Sequence, residues 1–370
     1  MSCLNTDPTA SQRGAALIIA MLVFALVAAL LVGLQRDFSL TLQRSEQQLF
    51  AEQAWAYLIG AEGLAQLALQ ADGRQDAKSE SPTDHMGELW AQPAAPYLLE
   101  AGGVMRGQIE DLQGRFNLHL LVSAPTANDT SASENAEDAV GDGVADEAET
   151  RSSERAGQVA EKRWSPGQKL LIRLLQSLGE EALSLEEAMS LTEAVSDFID
   201  ADADKRINGA EADDYRYADF PYLPANSSLA SVSELRAVKG MTSEVYEALR
   251  PWVTVWPEAG AKINILTAPL PVLRSLNADD QWEPLPLIES ERLMTMRTEG
   301  EITSVEDFLS DPTFEGQSVT DLQTLLGVRS NWFLLDASVD LVMRERHLFS
   351  VLTRKGGNVA SAVFRSEGEL

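Results

Sequence analysis

Between Asp197 and Tyr215 the chain reads DFIDADADKRINGAEADDY, a stretch whose acidic side chains recur at a spacing suited to holding a cation. Counted from Asp200, carboxylates fall at loop positions 1, 3 and 5 (Asp200, Asp202, Asp204), Asn208 stands at position 9 and Glu211 at position 12. In a loop of this kind alternate side chains turn their oxygens inward, and the final glutamate can bind through both of its own. Calcium takes roughly six to eight such oxygens. Left alone, the carboxylates repel one another, and a divalent cation removes that penalty. Asp197, Asp213 and Asp214 flank the loop as weaker candidates, with Asn208. At position 6, Lys205 replaces the glycine that a sharp turn with φ > 0 would use. The pattern therefore predicts a looser calcium loop with a structural role, set against the plainer alternative of a solvated acidic loop.

No other stretch offers comparable chemistry. His85, His119 and His347 are scattered, and the chain has no nucleophile elbow, phosphate loop, zinc spacing or paired-glycine cofactor turn. It does not read as an enzyme. Two segments, VSELRAVKGMTSEVYEALRPWV and INILTAPLPVLRSL, resemble helix-hairpin-helix modules, which grip nucleic-acid backbone through a glycine-rich hairpin. The first hairpin offers Lys239-Gly240-Met241 with one glycine, and the second reads LNADDQWEPLP, acidic and without any. With 57 acidic residues against 29 basic and a formal charge of −28, no nucleic-acid partner is expected.

These side chains need a carrier, and the amino-terminal part supplies an anchor. Ala15 to Leu34 is an uncharged apolar run of about 30 Å as a helix, enough to cross a bilayer. It is longer than a signal-peptide core of about 7–15 residues, and Val32-Gly33-Leu34-Gln35 is a poor signal-peptidase site. Arg13 with Asp7 and Arg36 with Asp37 balance, so flanking charge sets no orientation. Proline is absent between Pro8 and Pro82, and the helix is expected to continue to about Ala71, with Leu42, Leu49, Ala56 and Gly63 sharing one register. Cys3 is the single cysteine, so the part beyond the leader cannot form a disulfide.

Residues 103–121 read as a hairpin or a bent strand broken at Gly114. Residues 123–163 have no aromatic side chain and are rich in acid, Ser and Ala, the composition of a disordered linker. Ser184 with Glu187 predicts a helix start, as do SVSEL (231–235), SVEDF (304–308) and SVTDL (318–322). After Ser330 the pattern becomes β, with Gly356-Gly357-Asn358 as a hairpin turn. Strands before and after the helices suggest one sheet interrupted by a helical insertion.

Arg13-Gly14 followed directly by the apolar helix resembles the leader of type IV pilins and pseudopilins. The resemblance implies cleavage between Gly14 and Ala15 by a membrane aspartyl prepilin peptidase, and methylation of the new amino terminus. It narrows at Ile19. Most of the family carries glutamate there, paired with the amino terminus of the subunit above, and a buried carboxylate without that partner is costly. An isoleucine in its place resembles the large minor pseudopilin of type II secretion systems, the general secretion pathway protein K family. DFIDADADKRINGAE, PYLPANSSLASVSELRAVKGM, INILTA and SNWFLL carry the same resemblance. It implies an α+β fold, with a long amino-terminal helix on a small antiparallel sheet interrupted by a mostly helical inserted domain. The expected parts are a leader (1–14), a transmembrane and filament-core helix (15–34), and the helix continuation with the first part of the sheet (35–122). The acidic linker (123–163), the inserted domain with its calcium loop (164–329) and the closing strands (330–370) follow. It also implies an inner-membrane anchor, a periplasmic domain and calcium in the helical domain. The implied partners are two smaller minor pseudopilins in a tip complex and the major pseudopilin below. The alternative is a membrane-anchored periplasmic binding module stabilised by calcium.

Overall fold

The computed structural model describes residues 12–100, 102–122, 164–217, 221–341, 344–355 and 359–368. The first eleven leader residues, the linker over 123–163 and the turn expected at 356–358 lie outside them.

Helix α1 (Gln12–Asp76) is a single rod of 65 residues, about 100 Å long. Its apolar side chains from Leu17 to Leu34 are exposed, Ile19 to 62%. Packing begins further along, where Ala54, Leu58, Ala61, Ala65 and Leu69 are buried at helical spacing. This is not the expected register: Leu42 and Leu49 are exposed and Ala56 faces solvent. The face that meets the sheet mixes Leu58 and Leu69 with three alanines, and Leu42 and Leu49 lie on the part of the rod ahead of it.

The face beneath it belongs to a five-stranded antiparallel sheet. Strands β1 (Tyr97–Leu98), β2 (Gly103–Asp111), β7 (Trp332–Leu341), β8 (Arg344–Lys355) and β9 (Val359–Ser366) lie side by side in that order. Along β7 the alternate residues Phe333, Leu335, Ala337, Val339 and Leu341 turn toward α1 and form one core with it. Glu62 of α1 enters this layer because Ser350 and Arg365 donate to its carboxylate at 2.6–2.8 Å. Strands β2 and β7 pair from Gly103 with Leu341 to Asp111 with Phe333, although more than two hundred residues separate them in sequence.

Everything between Asp111 and Trp332 is inserted between two neighbouring strands. The break at Gly114 has a steric reason, since a Cβ there would come within 2.8 Å of Thr267 Oγ1. Two short parallel pairs, β3 (Phe116–Asn117) with β4 (Val253–Thr254) and β5 (Ile263–Asn264) with β6 (Leu326–Gly327), tie the insertion together. Its helices α2 (Pro166–Leu175), α3 (Leu185–Ile199), α4 (Ala212–Arg216), α5 (Ser243–Leu249), α6 (Leu270–Ser275), α7 (Leu287–Glu299), α8 (Val305–Leu309) and α9 (Thr320–Leu325) surround a separate apolar core.

Ser184–Glu187 and Ser304–Asp307 form reciprocal caps at the starts of α3 and α8, and Ser231–Glu234 does the same for a short 3-10 turn. Ser318 does not cap α9. Its hydroxyl donates to Asp279, whose carboxylate accepts instead from the backbone N–H groups of Asp321 and Leu322. A residue some forty positions upstream has taken the capping role.

Candidate metal centre

Helix α3 ends at Ile199, and its last turn delivers Asp197 and Asp200 to the loop that leads into α4. The loop folds back so that Asp200, Asp202 and Glu211 each bring a carboxylate oxygen within 4.8 Å of the others. Asp200 and Glu211 are 5% and 6% exposed, whereas Asp202 is at the surface. Gly209 permits the fold-back, because a Cβ there would stand 1.8 Å from Asp197 Oδ2. Asp202 Oδ1 accepts from the Asp204 N–H at 2.8 Å and stiffens the turn.

Cations from the chain itself serve part of this charge. Arg206 donates to Asp197 Oδ1 at 2.5 Å and to Asp200 Oδ2 at 2.6 Å. Lys205 and Lys239 both hold the Asp214 carboxylate, at 2.8–2.9 Å. Their hydrogen bonds, Lys205 first, keep Asp214 well below the usual carboxylate range. Asp214 therefore serves the two lysines, and Lys239 of the first hairpin is engaged with it. Asp213 is exposed and pairs with Arg216 at 3.1 Å. Asp204 and Asn208 are exposed and outside the converging set, and Asn208 contributes its backbone N–H to Glu193 at 2.8 Å. Asp197 is wholly buried and occupied by Arg206.

What remains is a group of acceptors without donors. Asp200 Oδ1 and both Glu211 oxygens are buried and have no hydrogen-bond partner. Burial pushes Asp200 and Glu211 upward in pKa; Arg206 opposes the shift at Asp200, and the charge of Asp197 adds to it at Glu211. A fourth buried oxygen without a donor is Asn226 Oδ1. Asn226 comes from the next loop, at φ +42, and its Nδ2 donates to the Asp202 carbonyl at 2.8 Å. Burying an acceptor without a donor costs on the order of 1–3 kcal/mol. Oxygen-only donors with two carboxylates turned inward match the preference of a hard divalent cation, calcium above all. The residues fit the ion.

The acid spacing found Asp200, Asp202 and Glu211 but not Asn226. A polar residue able to adopt φ > 0, inside the Ala225-Asn226-Ser227 turn, was the available signal. At the other end of the chain, Gly14 and Ala15 lie in the first turn of α1, and Ile19 points outward from it.

Comparison with known proteins now bears on this architecture. The family model described as "Type II secretion system (T2SS), protein K" matches residues 114–258, the stretch that contains the loop. Type II secretion system protein K of Pseudomonas aeruginosa is 31% identical over 351 residues, 94% of this chain and 91% of that protein. The protein of the same name from Pectobacterium carotovorum is 29% identical, covering 94% of each. Among solved structures, a chain of the GspK-GspI-GspJ complex from enterotoxigenic Escherichia coli superposes with a TM-score of 0.63 at 23% identity. The match covers 88% of this chain and all of that one, and it shows the shared fold. By its sequence along nearly its whole length, the chain belongs to the type II secretion system protein K family.

Proposed function

We propose that the chain is a minor pseudopilin that ends the type II secretion pseudopilus, starting or limiting its assembly for export of folded proteins across the outer membrane. Its action is assembly rather than catalysis. The observation that carries the reading is α1, whose apolar first half is left uncovered by the other described residues. Such a surface needs lipid before assembly and neighbouring helices afterwards. Prepilin peptidase cuts between Gly14 and Ala15 and methylates Ala15, leaving Ala15–Leu34 as a single-pass inner-membrane anchor with the globular part in the periplasm. Ile19 suits a terminal place, since no amino terminus above it asks for a carboxylate partner. The partners are two smaller minor pseudopilins, in keeping with the related GspK-GspI-GspJ complex, and the major pseudopilin below. Nucleic acid is not among them.

The inserted domain gives the tip its bulk, standing where a further subunit would stack. Calcium held by Asp200, Asp202 and Glu211, with Asn226 from the adjoining loop, is its structural cofactor. Bound there, the ion supplies charge neutralisation that stiffens the loop between α3 and α4.

The test is intact mass and amino-terminal sequence of the membrane-extracted protein, made with and without prepilin peptidase. The expected product starts at Ala15 and carries one added methyl group only when the peptidase is present. A chain starting at Met1 or Ser2, or cut after Leu34, overturns the reading.

A further inference from the structure

Between α1 and β1 the chain runs without helix or strand from Ser81 to Pro96, a strap along one side of the pseudopilin domain. Its outer part forms one wall of an apolar groove of about 370 Å³. Leu89 and Tyr97 stand on the strap side, Leu64 and Ala68 on α1, and Met105 and Ile109 on β2. Trp90 pins the strap inward, edge-on to Phe333 with ring centroids 5.0 Å apart.

Next to that pin is a crowd of carboxylates. Asp72 of α1 and Asp84 and Glu88 of the strap each have an oxygen within 4.8 Å of the others, and Asp76 lies close by with Oδ2 buried and without a hydrogen bond. From β8, fully buried Arg354 donates to Asp72, to Asp84 and to the Ser330 carbonyl, and it stands 4.0 Å from Asp76. The other basic side chains are peripheral. Arg329, ahead of β7, lies 3.7 Å from Asp76 and is half exposed, as is His85, 3.7 Å from Glu88. Three carboxylates thus face one buried guanidinium at the carboxyl end of α1, where the helix carbonyls add partial negative charge, and Glu88 crowds Asp72 and Asp84 with no contact to that arginine.

A metal does not fit here. Asp72 and Asp84 turn oxygens to Arg354, the second Asp84 oxygen accepts from the Ser330 N–H at 2.8 Å, and Glu88 accepts from the Trp90 indole at 2.5 Å. The guanidinium takes up Asp72 and Asp84, and a proton is what remains to reduce the charge on Glu88.

We propose that the strap is a proton-linked clamp: a proton on Glu88 holds residues 81–96 against α1 and the sheet, and its loss loosens the strap and opens the apolar groove. Burial first, and then the charge of Asp72, push Glu88 up to about 8, with Trp90 opposing and Asp84 and Asp76 adding to the shift. Asp72 and Asp76 are raised too, chiefly by burial. A carboxyl that holds its proton more tightly in the folded state stabilises the clamp fully below its ordinary pKa of 4.5. That contribution falls as pH rises and is gone above about 8.

The experiment is hydrogen exchange by mass spectrometry on the full chain in detergent micelles, with EGTA, corrected for the intrinsic pH dependence of exchange. Peptides covering 79–98 should lose about tenfold in protection between pH 6.5 and pH 9, while peptides from the α1–β7 contact hold theirs. Glu88→Gln should keep the strap protected at pH 9. Glu88→Ala, whatever its packing, should show equal protection at both pH values. Three results overturn the proposal: a wild-type strap equally protected across the range, a wild-type pH profile in the two variants, or protection restored at pH 9 by adding calcium.

Discussion

At the loop after α3, Arg206 reaches Asp197 and Asp200 from the rim, a third exposed, and leaves Asp200 Oδ1 and both Glu211 oxygens without donors. At the end of α1, Arg354 stands in the middle of its carboxylates with no exposed side-chain surface and takes up the facing oxygens of Asp72 and Asp84 itself. Both places hold three carboxylates close enough to share a cation. In the first, Asp200 and Glu211 keep buried oxygens with no donor, whereas in the second each of the three gives an oxygen to a donor of the chain. Where the guanidinium sits, rather than how many acids surround it, separates a site that can accept an ion from one that already contains its counter-charge.

The largest effect should come from the central arginine. Replacing Arg354 by Met leaves Asp72 and Asp84 buried against each other, and such a break costs about 3–5 kcal/mol. Arg206→Met should cost less, because its side chain is a third exposed and an added cation can offset its loss, although it strands buried Asp197. Thermal unfolding of the full chain in detergent, with and without calcium, measures both. Equal losses in the two variants, or rescue of Arg354→Met by calcium, would break the distinction.

Next in size is the ion itself. At about a hundred times its dissociation constant, calcium should stabilise the inserted domain by roughly 2.7 kcal/mol, and EGTA should remove that gain. Glu211→Ala deletes both oxygens at once and should abolish the calcium-dependent shift in unfolding temperature. Asp76→Asn, in the other cluster, should leave the shift intact. If Glu211→Ala keeps the full shift, the ion binds elsewhere.

The spacing of acids exposed half of this contrast in the sequence. Asp200, Asp202 and Glu211 lie within twelve residues, so a local pattern could nominate them. The same pattern also nominated Asp197 and Asp214, and it treated Lys205 only as a missing glycine and did not use Arg206. Both are internal counter-ions, and they remove Asp214 and Asp197 from the set of open ligands. The Arg354 cluster had no local trace: its members lie in α1, in the strap and in β8, and only the pairing of distant strands brings them together. The α+β layout was legible because strand and helix periodicities are local, as were the caps at Ser184 and Ser304. The packing face of α1 was not, since it is chosen by the sheet beneath. Ser318 failed as a cap for a related reason, with Asp279 arriving from outside the window.

A smaller effect separates the two clusters by pH. Burial raises Asp197, Asp200 and Glu211, so without calcium their contribution is fully present below pH 3.8–4.5 and is lost as pH rises through the folded-state values. Asp214 runs the other way, since its pKa is lowered, but its contribution changes only below 3.8. Calcium needs the ionised carboxylates, so its binding strengthens over the same rise. Protection of α3 in hydrogen exchange should therefore fall with pH in EGTA and hold or rise with calcium. The strap should follow the falling course in both. A calcium-reversed slope at the strap would erase the contrast.

The smallest expected change sharpens the open site. Asn226→Gly keeps a residue that accepts φ +42 without strain and removes both the Nδ2 donor to Asp202 and the Oδ1 acceptor. If Oδ1 belongs to the ligand set, calcium affinity should drop roughly two- to tenfold, the worth of one polar contact of about 0.5–1.5 kcal/mol. In EGTA the same variant should be close to neutral, because the lost bond to the Asp202 carbonyl is offset by the loss of a buried oxygen with no donor. Calcium titration by calorimetry on the full chain reads the affinity, and thermal unfolding in EGTA reads the stability. Unchanged affinity with lowered stability would make Asn226 a turn residue alone, and the ion would then rest on the loop between α3 and α4 without a tie to the next one.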